Sequence, residues 1–357
     1  MNNTMKKSKL IFIGPIDMGN IPQTGDTMKN QLFIDRFIDV FDTIYTVDTM
    51  NWRKNPWVVV RMFYLLIFHR DSKVIISANT SSAHSVIRLL KRMPFTPKEV
   101  FYWVVGGAFH KKIEDGLYSA ETYKWLKGIF VQGYPMVDSL RKHVLDNAVY
   151  VANSKLISHY GKAEKKNDGK THFVFLSRIE EYKGCSEIIT AVDKLIYRGY
   201  ENRFDVTFYG RESENPQSAL QFSKMIDERP NIRYKGVLNL RDTNNYDELS
   251  DYDVMLFPTY WQGEGFPGIV IDAYVASLPL IASDWNFNKY VVTEGETGWI
   301  IPVHDNEALV NKMEYVITHP EEVMRMSCNC RNAAGQYDSR VVLSKDNLIK
   351  IGLLDNA

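Results

Sequence analysis

The chain has 357 residues, more than one hydrophobic core usually organises, so two domains are the expected arrangement. Hydrophobic residues make up 45% and charged residues 24%, as in a soluble globular protein, and 43 basic residues balance 43 acidic ones. Without a net charge there is no overall field to attract nucleic acid, and we expect no nucleic-acid partner. The three cysteines, Cys185, Cys328 and Cys330, do not form a disulfide or zinc pattern, which favours a reducing compartment.

No segment predicts secretion or a membrane span. The apolar run at residues 9–13 starts too early to be part of a signal peptide. The longest apolar stretch, residues 57–68, contains Arg61 and is well short of the roughly 20 residues that cross a bilayer. We therefore expect a cytoplasmic protein without a transmembrane helix.

In the first half, short apolar runs alternate with helical patterns. The runs are continuous rather than alternating in polarity, which is typical of parallel strands covered on both faces. The predicted strands are residues 10–13, 43–47, 74–77, 100–105, 129–132 and 149–152. The predicted helices between them include residues 28–40, 57–69 and 81–93.

A polar run at residues 162–170 predicts a linker, after which the series starts again. The second set of predicted strands is residues 173–176, 206–209, 232–235, 254–257, 280–282 and 299–301, with helices that include residues 185–197, 268–277 and 306–318. Two Rossmann-like, doubly wound halves follow from this repetition. Ligands are expected beyond the carboxyl ends of the strands, in a cleft between the halves.

Several common nucleotide and hydrolase motifs are missing from the sequence. No G-x-G-x-x-G follows the first predicted strand, which disfavours a dinucleotide cofactor. No G-x-x-x-x-G-K-[ST] occurs, which removes a P-loop ATPase, and the lack of G-x-S-x-G weakens an α/β-hydrolase.

Two loops of the first half carry glycines next to predicted helices. Thr24 and Gly25 precede the helix expected from Met28, where Gly25 would let the backbone approach a ligand. A plain capped turn, with Asp26 or Thr27 as the N-cap, is the alternative. Gly106 and Gly107 follow the fourth strand and would allow close approach of a substrate. His110, in the same loop, is a candidate polar contact or acid/base group, but a solvated side chain is the favoured expectation.

In the second half, acids and cations are concentrated in two loops. Glu264-Gly-Phe-Pro-Gly-Ile-Val-Ile-Asp272 sets one acid in a glycine-rich loop and one in a helix that Pro267 should begin. The free N–H groups and helix dipole between the acids suit a phosphate, and Arg178 with Lys183 suits a diphosphate. This combination is typical of a nucleotide-sugar site. An ordinary strand–turn–helix corner with surface charges remains the alternative.

An ordered set of motifs over residues 173–305 resembles the C-terminal domain of retaining GT-B glycosyltransferases of family GT4. The set comprises Ser177-Arg178, Lys183-Gly184, Gly210, Tyr234-Lys-Gly236, Tyr252-Asp-Val-Met-Leu-Phe-Pro258, Glu264 to Asp272, Leu278-Pro-Leu-Ile-Ala-Ser283 and Glu296-Thr-Gly-Trp-Ile300. Bacterial members of this kind commonly build capsule, exopolysaccharide or lipopolysaccharide.

The resemblance implies an α/β protein with the GT-B fold, in which two Rossmann-like domains face a central cleft. Residues 1–155 would form the acceptor-side domain, residues 156–338 the donor domain, and residues 339–357 a terminal helix that crosses back to the first domain. The implied reaction is retaining transfer of a hexosyl residue from a UDP- or GDP-sugar to a saccharide or lipid-linked saccharide. Neither a metal nor a bound cofactor is implied.

The family's roles fall on matching residues of this sequence. Arg178 and Lys183 would neutralise the leaving diphosphate, Glu264 would support positive charge at the anomeric carbon, and Asp272 would hold the ribose. Further substrate contacts are expected from Gly265, Phe266, Gly268, Ile269, Thr24, Gly25, Gly106 and Gly107.

The sequence departs from the family's pattern at four places. Asp272 replaces the usual glutamate, Ser277 stands where the helix commonly ends in glycine, and residues 284–288 replace a diglycine loop. Gly106-Gly107 stands where many relatives carry a histidine. Two alternatives to the enzyme are a non-catalytic nucleotide-sugar-binding partner subunit and, with no support from the ordered motifs, a nucleotide-sugar epimerase.

A basic and aromatic segment raises the question of a membrane surface. Residues 51–57 and the following aromatic helix, with Arg88, Lys91 and Arg92, could dock on anionic lipid at the inner face of the membrane. The alternative is a buried helix whose cations extend along it to reach water.

Overall fold

The computed structural model describes residues 8–20, 24–50, 52–94, 97, 99–162 and 168–355. The chain divides into two compact units: unit 1 is Met1–Leu156 with Ser339–Ala357, and unit 2 is Ile157–Asp338. Three predicted features extend outside the described residues. They are the centre of the linker at residues 163–167, residues 21–23 of the loop after the first strand, and Asn51 of the basic and aromatic segment.

Unit 1 is built on a parallel sheet. Its strands among the described residues are β1 (Lys9–Gly14), β2 (Thr43–Asp48), β3 (Lys73–Asn79), β4 (Val100–Val105), β5 (Gly128–Val131) and β6 (Ala148–Tyr150), in the order β2-β1-β3-β4-β5-β6. The helices that follow these strands are α1 (Gly25–Phe37), α2 (Trp57–Phe68), α3 (Thr80–Arg92), α4 (Phe109–Glu114) and α5 (Tyr134–Lys142). The strand order reverses between β1 and β3.

Unit 2 repeats the plan with another strand order. Its strands are β7 (Thr171–Leu176), β8 (Phe204–Tyr209), β9 (Ile232–Tyr234), β10 (Val254–Phe257), β11 (Leu280–Ser283) and β12 (Gly298–Ile301), in the order β12-β11-β10-β7-β8-β9. Its helices are α6 (Cys185–Tyr197), α7 (Pro216–Asp227), α8 (Asn245–Leu249), α9 (Gly268–Val275), α10 (Asn288–Val291), α11 (Asn306–Thr318) and α12 (Pro320–Ala334). Each of the twelve strands predicted from the sequence has its counterpart in these two sheets.

The strand order of unit 2 defines where a ligand can bind. From β7 the chain continues to β8 and β9 on one side, and from β10 it continues to β11 and β12 on the other. The loops that leave β7 and β10 therefore diverge although the two strands are hydrogen-bonded neighbours. In doubly wound sheets the crevice outside such a switch point is the usual ligand site.

The C-terminal segment packs in the core of unit 1. It was predicted as one helix, but it forms two short helices, α13 (Ser339–Val342) and α14 (Lys345–Lys350). The chain breaks between them because the Ser344 side chain accepts a hydrogen bond from the Asn347 N–H and caps α14. Val342, Leu348 and Leu353 bury their side chains in the cluster that contains Phe12 and Trp103.

Helix α1 begins earlier than the sequence predicted. Thr24 is its N-cap: the Thr24 hydroxyl accepts from the Thr27 N–H at 3.3 Å, and the Thr27 hydroxyl accepts from the Thr24 N–H at 3.2 Å. This reciprocal capping fixes the start at Gly25 rather than at Met28. Asp26 and Thr27, the N-caps of the alternative reading, therefore lie inside the first turn.

Candidate functional site

A buried ion pair lies at the carboxyl ends of β7 and β10. Lys183 ends a short 3-10 turn, Glu181–Lys183, that follows β7, and Glu264 lies in the loop that follows β10. The Lys183 Nζ atom is 2.5 Å from Glu264 Oε2, and the two side chains are only 9% and 15% exposed. The structure thus brings together the cation and the acid that the sequence singled out, at the switch point of the sheet.

The two loops that carry this pair are tied to each other. The Tyr182 carbonyl oxygen accepts from the Tyr260 N–H at 2.9 Å and from the Thr259 hydroxyl at 3.3 Å. The Thr259 carbonyl oxygen accepts from the Ser283 hydroxyl at the end of β11 at 2.5 Å, and the Trp261 ring lies 4.5 Å from that of Tyr182. These contacts hold the turn of Lys183 against the loop of Glu264.

Gly184 makes the close approach of the two loops possible. Its φ of 85° lies in the left-handed region, and a β-carbon there would lie 2.5 Å from Pro258 Cγ and 2.6 Å from the Pro258 carbonyl oxygen. Only glycine meets both conditions without strain. Helix α6 starts directly after it, so Gly184 also joins the Lys183 turn to the helix.

Residues 284–288, which replace the family's diglycine loop, support the Glu264 loop. The Asn286 side-chain amide donates to the Glu264 carbonyl oxygen at 2.9 Å, and the Trp285 indole N–H donates to the Trp261 carbonyl oxygen at 2.7 Å. The Glu264 N–H in turn donates to that same Trp261 oxygen at 3.0 Å. In the sequence this segment stands out only as a departure from the family's pattern, and no short pattern in it reveals this supporting role.

Helix α9 differs from its prediction at both ends. Pro267 is the N-cap rather than the first helical residue, and the helix ends at Val275 rather than Ser277. Ser277 itself has a φ of 59°, the left-handed conformation that glycine would adopt more easily. Gly268 and Ile269, the predicted phosphate contacts, form the first turn of α9 and are half-buried, and no acidic residue lies in that turn.

Asp272 faces the protein interior. It is 5% exposed, and its Oδ1 atom accepts from the Tyr246 hydroxyl of α8 at 2.7 Å. Burial and the neighbouring carboxylate raise the pKa of the Tyr246 hydroxyl far above its ordinary value, so Tyr246 stays a donor. Sequence reasoning missed Tyr246, which lies 26 residues from Asp272. The ribose contact of Asp272 stays a prediction.

The remaining candidates of unit 2 differ in exposure. Arg178 lies two residues after the end of β7 and is exposed. Phe266 is 5% exposed and packs edge-on against the Tyr337 ring at 5.3 Å, whereas Gly265 is half-buried. Phe266 therefore has a packing contact in addition to the substrate contact that was predicted for it.

The candidates of unit 1 lie at the carboxyl edge of its sheet. Thr24 and Gly25 begin α1, and Gly106, with a φ of 83°, follows β4 directly and is succeeded by Gly107. His110 was expected to be solvated, but it is 8% exposed, and burial lowers the pKa of its imidazole. His110 lies in the first turn of α4, and its buried imidazole favours the neutral form at neutral pH.

A separate polar cavity of about 230 Å³ in unit 2 is lined by none of the predicted site residues. Five of its charged or titratable residues are paired with one another: His172 lies between Asp205 at 3.0 Å and Asp168 at 3.1 Å, and Lys235 lies 3.3 Å from Glu248. Within the described parts of the chain, no group of three or more His, Cys, Asp or Glu side chains is placed to hold a metal, and no helix is long and apolar enough to cross a membrane.

Comparison with known proteins identifies the domain that carries this site. Residues 157–333 match the family described as "Glycosyl transferases group 1". The capsular polysaccharide biosynthesis glycosyltransferase CapM of Staphylococcus aureus is 27% identical over 167 residues, which are 46% of this chain and 40% of CapM. A phosphatidyl-myo-inositol mannosyltransferase of Mycobacterium leprae is 28% identical over 181 residues, which are 50% of this chain and 45% of that protein. The chain thus matches less than half of the length of each of these two relatives.

Another relative matches a shorter stretch, and solved structures match the whole chain. The UDP-Gal:alpha-D-GlcNAc-diphosphoundecaprenol alpha-1,3-galactosyltransferase of Escherichia coli is 34% identical over 84 residues, 24% of this chain and 21% of that protein. A glycosyltransferase from Rickettsia africae is 14% identical with a TM-score of 0.73, covering 99% of this chain and all of that one. Anabaena HepE in complex with UDP is 10% identical with a TM-score of 0.70, covering 97% and 100%. These structures confirm the predicted fold class, GT-B with two Rossmann-like domains.

Proposed function

Because residues 157–333 form a domain of the glycosyl transferases group 1 family, we propose that this chain is a metal-independent, retaining hexosyltransferase. Its donor is a UDP- or GDP-sugar, and its acceptor is a saccharide or lipid-linked saccharide of a surface polysaccharide. The observation that carries the proposal is the Lys183–Glu264 pair at the switch point of unit 2. The named activities of the capsular and diphosphoundecaprenol-dependent relatives and the UDP bound to HepE support the substrate classes.

The chemistry of the site suits departure of a nucleoside diphosphate. When the bond between the anomeric carbon and the diphosphate oxygen breaks, the electron pair leaves with the diphosphate. Lys183 and the exposed Arg178 would stabilise that charge, together with the N–H groups at Gly268 and Ile269 of α9. Preorganised charge of this kind lowers a barrier by about 3 kcal/mol for each well-placed donor.

Glu264 supplies the opposite charge near the sugar. The carboxylate would support the positive charge that develops at the anomeric carbon. The acceptor oxygen forms its bond on the face that the diphosphate leaves, and the proton of the acceptor hydroxyl passes to the departing diphosphate oxygen. In the ligand-free protein Lys183 holds this carboxylate in place. The ammonium has two further N–H donors for a phosphate oxygen, so the ion pair and donor binding are compatible.

The first prediction concerns binding of the nucleotide. UDP or GDP should raise the melting temperature of the protein, and nucleotide release from the sugar donor should continue in the presence of EDTA. Lys183→Met should abolish both the thermal shift and turnover. It should also destabilise the protein by about 3 kcal/mol, because the buried Glu264 carboxylate then lacks its partner.

A double variant and a surface control separate these effects. Lys183→Met with Glu264→Gln should recover most of the stability and none of the turnover. Lys289→Met removes an exposed ion pair with Asp284 in the same unit and should change stability by less than about 1 kcal/mol. If no nucleoside diphosphate stabilises the protein, the donor site is wrong. Stabilisation without turnover on any acceptor would instead identify a non-catalytic partner subunit.

Membrane association of unit 1 is the second part of the proposal. Trp57, Tyr64 and Phe68 of α2 are 73%, 55% and 67% exposed and recur at helical spacing on one face, whereas Met62, Leu65 and Leu66 form the buried face. One face of α2 is therefore exposed, which favours a docking surface over the buried helix considered as the alternative. Between residues 49 and 98 the chain has nine lysine or arginine residues and one acidic residue, although the whole sequence is neutral. Exposed aromatic residues with adjacent cations suit the surface of an anionic membrane.

Vesicle sedimentation tests this surface. The protein should bind vesicles that contain phosphatidylglycerol, bind less at high salt, and not bind neutral phosphatidylcholine vesicles. The triple variant Trp57→Ser, Tyr64→Ser, Phe68→Ser should lose most of the binding. A control triple variant in unit 2, Leu220→Ser, Val237→Ser, Met324→Ser, removes equally exposed apolar side chains and should bind normally. Equal loss in both triples would contradict a specific lipid-binding face.

A further inference from the structure

Three buried hydrogen-bond donors belong to residues that form, contact or follow one group of aromatic rings in unit 1. The Phe33 ring lies 4.4 Å from the Trp103 ring, and the Trp103 ring lies 4.9 Å from that of Phe130. The Lys29 ammonium lies 5.3 Å from the centre of the Phe33 ring. Gln132 comes directly after β5, two positions beyond Phe130 and so on the same face of the sheet.

All three donors lack an acceptor. The Nζ atom of Lys29, the Nε1 atom of Trp103 and the Nε2 atom of Gln132 are buried and make no hydrogen bond to any part of the chain that the structure describes. Trp103 and Gln132 are 1% and 6% exposed as whole residues. Since buried polar groups in native proteins almost always have partners, three such donors beside one ring cluster indicate that an acceptor binds there.

The cluster has the position of a ligand site. Trp103 is two residues from the end of β4, Gln132 follows the end of β5, and Lys29 lies in the second turn of α1. Thus all three approach the carboxyl edge of the unit 1 sheet, the edge at which Thr24, Gly25, Gly106 and Gly107 also lie. In doubly wound sheets this is the edge that binds ligands.

The positive charge of Lys29 favours a ligand with negatively charged oxygen atoms. Asp26, the acid one turn before Lys29, raises the pKa of the Lys29 amine electrostatically, but burial has the larger effect. Burial lowers the pKa of the Lys29 amine to about 7. A buried cation with two neutral N–H donors nearby is suited to an oxygen ligand that carries negative charge.

We propose that Lys29, Trp103 and Gln132 form an oxyanion subsite in unit 1 that receives a phosphate or carboxylate group of the acceptor. The assignment to the acceptor rests on the proposed function, whereas the subsite itself does not. Binding of an oxyanion favours the charged amine, so the empty protein must take up a proton when it binds above neutral pH. The dissociation constant should therefore rise about tenfold for each pH unit above 7.

Sulfate and acetate are suitable probes because neither titrates near neutral pH. With the full-length protein and excess UDP, sulfate should raise the pKa of Lys29, followed by NMR of ¹³C-labelled lysine, and shift the Trp103 indole N–H resonance. Tighter binding of sulfate than acetate assigns the subsite to a phosphate group, and the reverse order assigns it to a carboxylate.

Substitutions at the three residues test whether sulfate binds at this subsite. Lys29→Met should lose the sulfate response and melt at a higher temperature, because it removes a buried charge. Lys29→Arg should retain sulfate binding without its pH dependence. Trp103→Phe and Gln132→Leu should each weaken sulfate binding several-fold. Lys142→Met removes an exposed lysine at the end of α5, and it should leave sulfate binding unchanged.

The outcome separates this subsite from the donor site. A Lys29 pKa that sulfate and acetate leave unchanged would mean that the donors hold only water and would overturn the proposal, as would equal sulfate affinity in Lys29→Met. UDP stabilisation of Lys29→Met should remain. If sulfate binds but UDP stabilises neither protein, the donor proposal fails and the oxyanion subsite stands.

Discussion

Gly184 sets the position of Lys183 through two separate physical conditions. Its φ of 85° disfavours any side chain, and the Pro258 backbone and ring occupy the space that a β-carbon would need. Gly199 shares only the first condition: its φ is 86°, and nothing lies within 4 Å of a β-carbon there. Comparing substitutions at these two glycines of unit 2 therefore distinguishes the cost of backbone strain from the cost of close packing.

Alanine substitution at the two glycines should give different costs. Gly199→Ala should lower the free energy of unfolding by about 1 kcal/mol, the cost of a left-handed residue with a side chain. Gly184→Ala should lower it by about 3 kcal/mol, because displacement of Pro258 adds an overpacking cost. Turnover should also fall because Lys183 moves with the turn. Urea unfolding measures both costs, and equal values would show that Pro258 does not restrict the site.

Residues of the site were predictable where their chemistry is local in sequence. Lys183-Gly184 and the glycine-rich loop of Glu264 each form a short pattern with an evident meaning. Tyr246 and Asn286 could not be found in this way, because their bonds to Asp272 and to the Glu264 carbonyl oxygen span 26 and 22 residues of sequence. Nor does any short pattern reveal that Lys29, Trp103 and Gln132 lack acceptors, since that depends on three separate elements.

At the scale of elements, the capping residues of the helices explain why the helix boundaries differ from the predicted ones. Hydrophobic periodicity predicts α1 and the C-terminal segment, but side-chain capping decides where their helices begin. Because Thr24 caps α1, the helix begins at Gly25 instead of Met28. Because Ser344 caps α14, the C-terminal segment is divided into α13 and α14. Ser277, just after α9, has a φ of 59°, a left-handed conformation that usually favours glycine. Its hydroxyl accepts a hydrogen bond from Arg331 at 3.4 Å, a contact that glycine would lack.

At the scale of the whole molecule, the class of fold was predictable and the strand order was not. Continuous apolar runs alternating with helices identify parallel strands from local sequence alone. Which strands become neighbours depends on contacts between distant segments, such as that of β7 with β10 across about 80 residues. The candidate site of unit 2 exists only because of that pairing, since it brings the loops of Lys183 and Glu264 together.

The stability of the molecule should depend on pH through His172. Asp205 raises the pKa of His172, with a further contribution from Asp168 that opposes the effect of burial. A pKa raised by folding stabilises the protein fully below the ordinary value of 6.5, and this stabilisation is lost as pH rises through the pKa of the folded protein. Below pH 6.5 the charge-assisted hydrogen bonds of His172 should contribute about 1.5 kcal/mol.

Comparison of the wild type with His172→Gln isolates this effect. The difference in their free energies of unfolding should be largest below pH 6.5 and should shrink toward alkaline pH. Burial lowers the pKa of His84 and His110, which gives the opposite pH dependence, but both proteins contain these residues and the contribution cancels. Asp205→Asn removes the main partner and should remove most of the pH-dependent difference. A difference that grows with pH would show that His172 is neutral in the folded protein, and the network of Asp168, His172 and Asp205 would then be held by hydrogen bonds without charge.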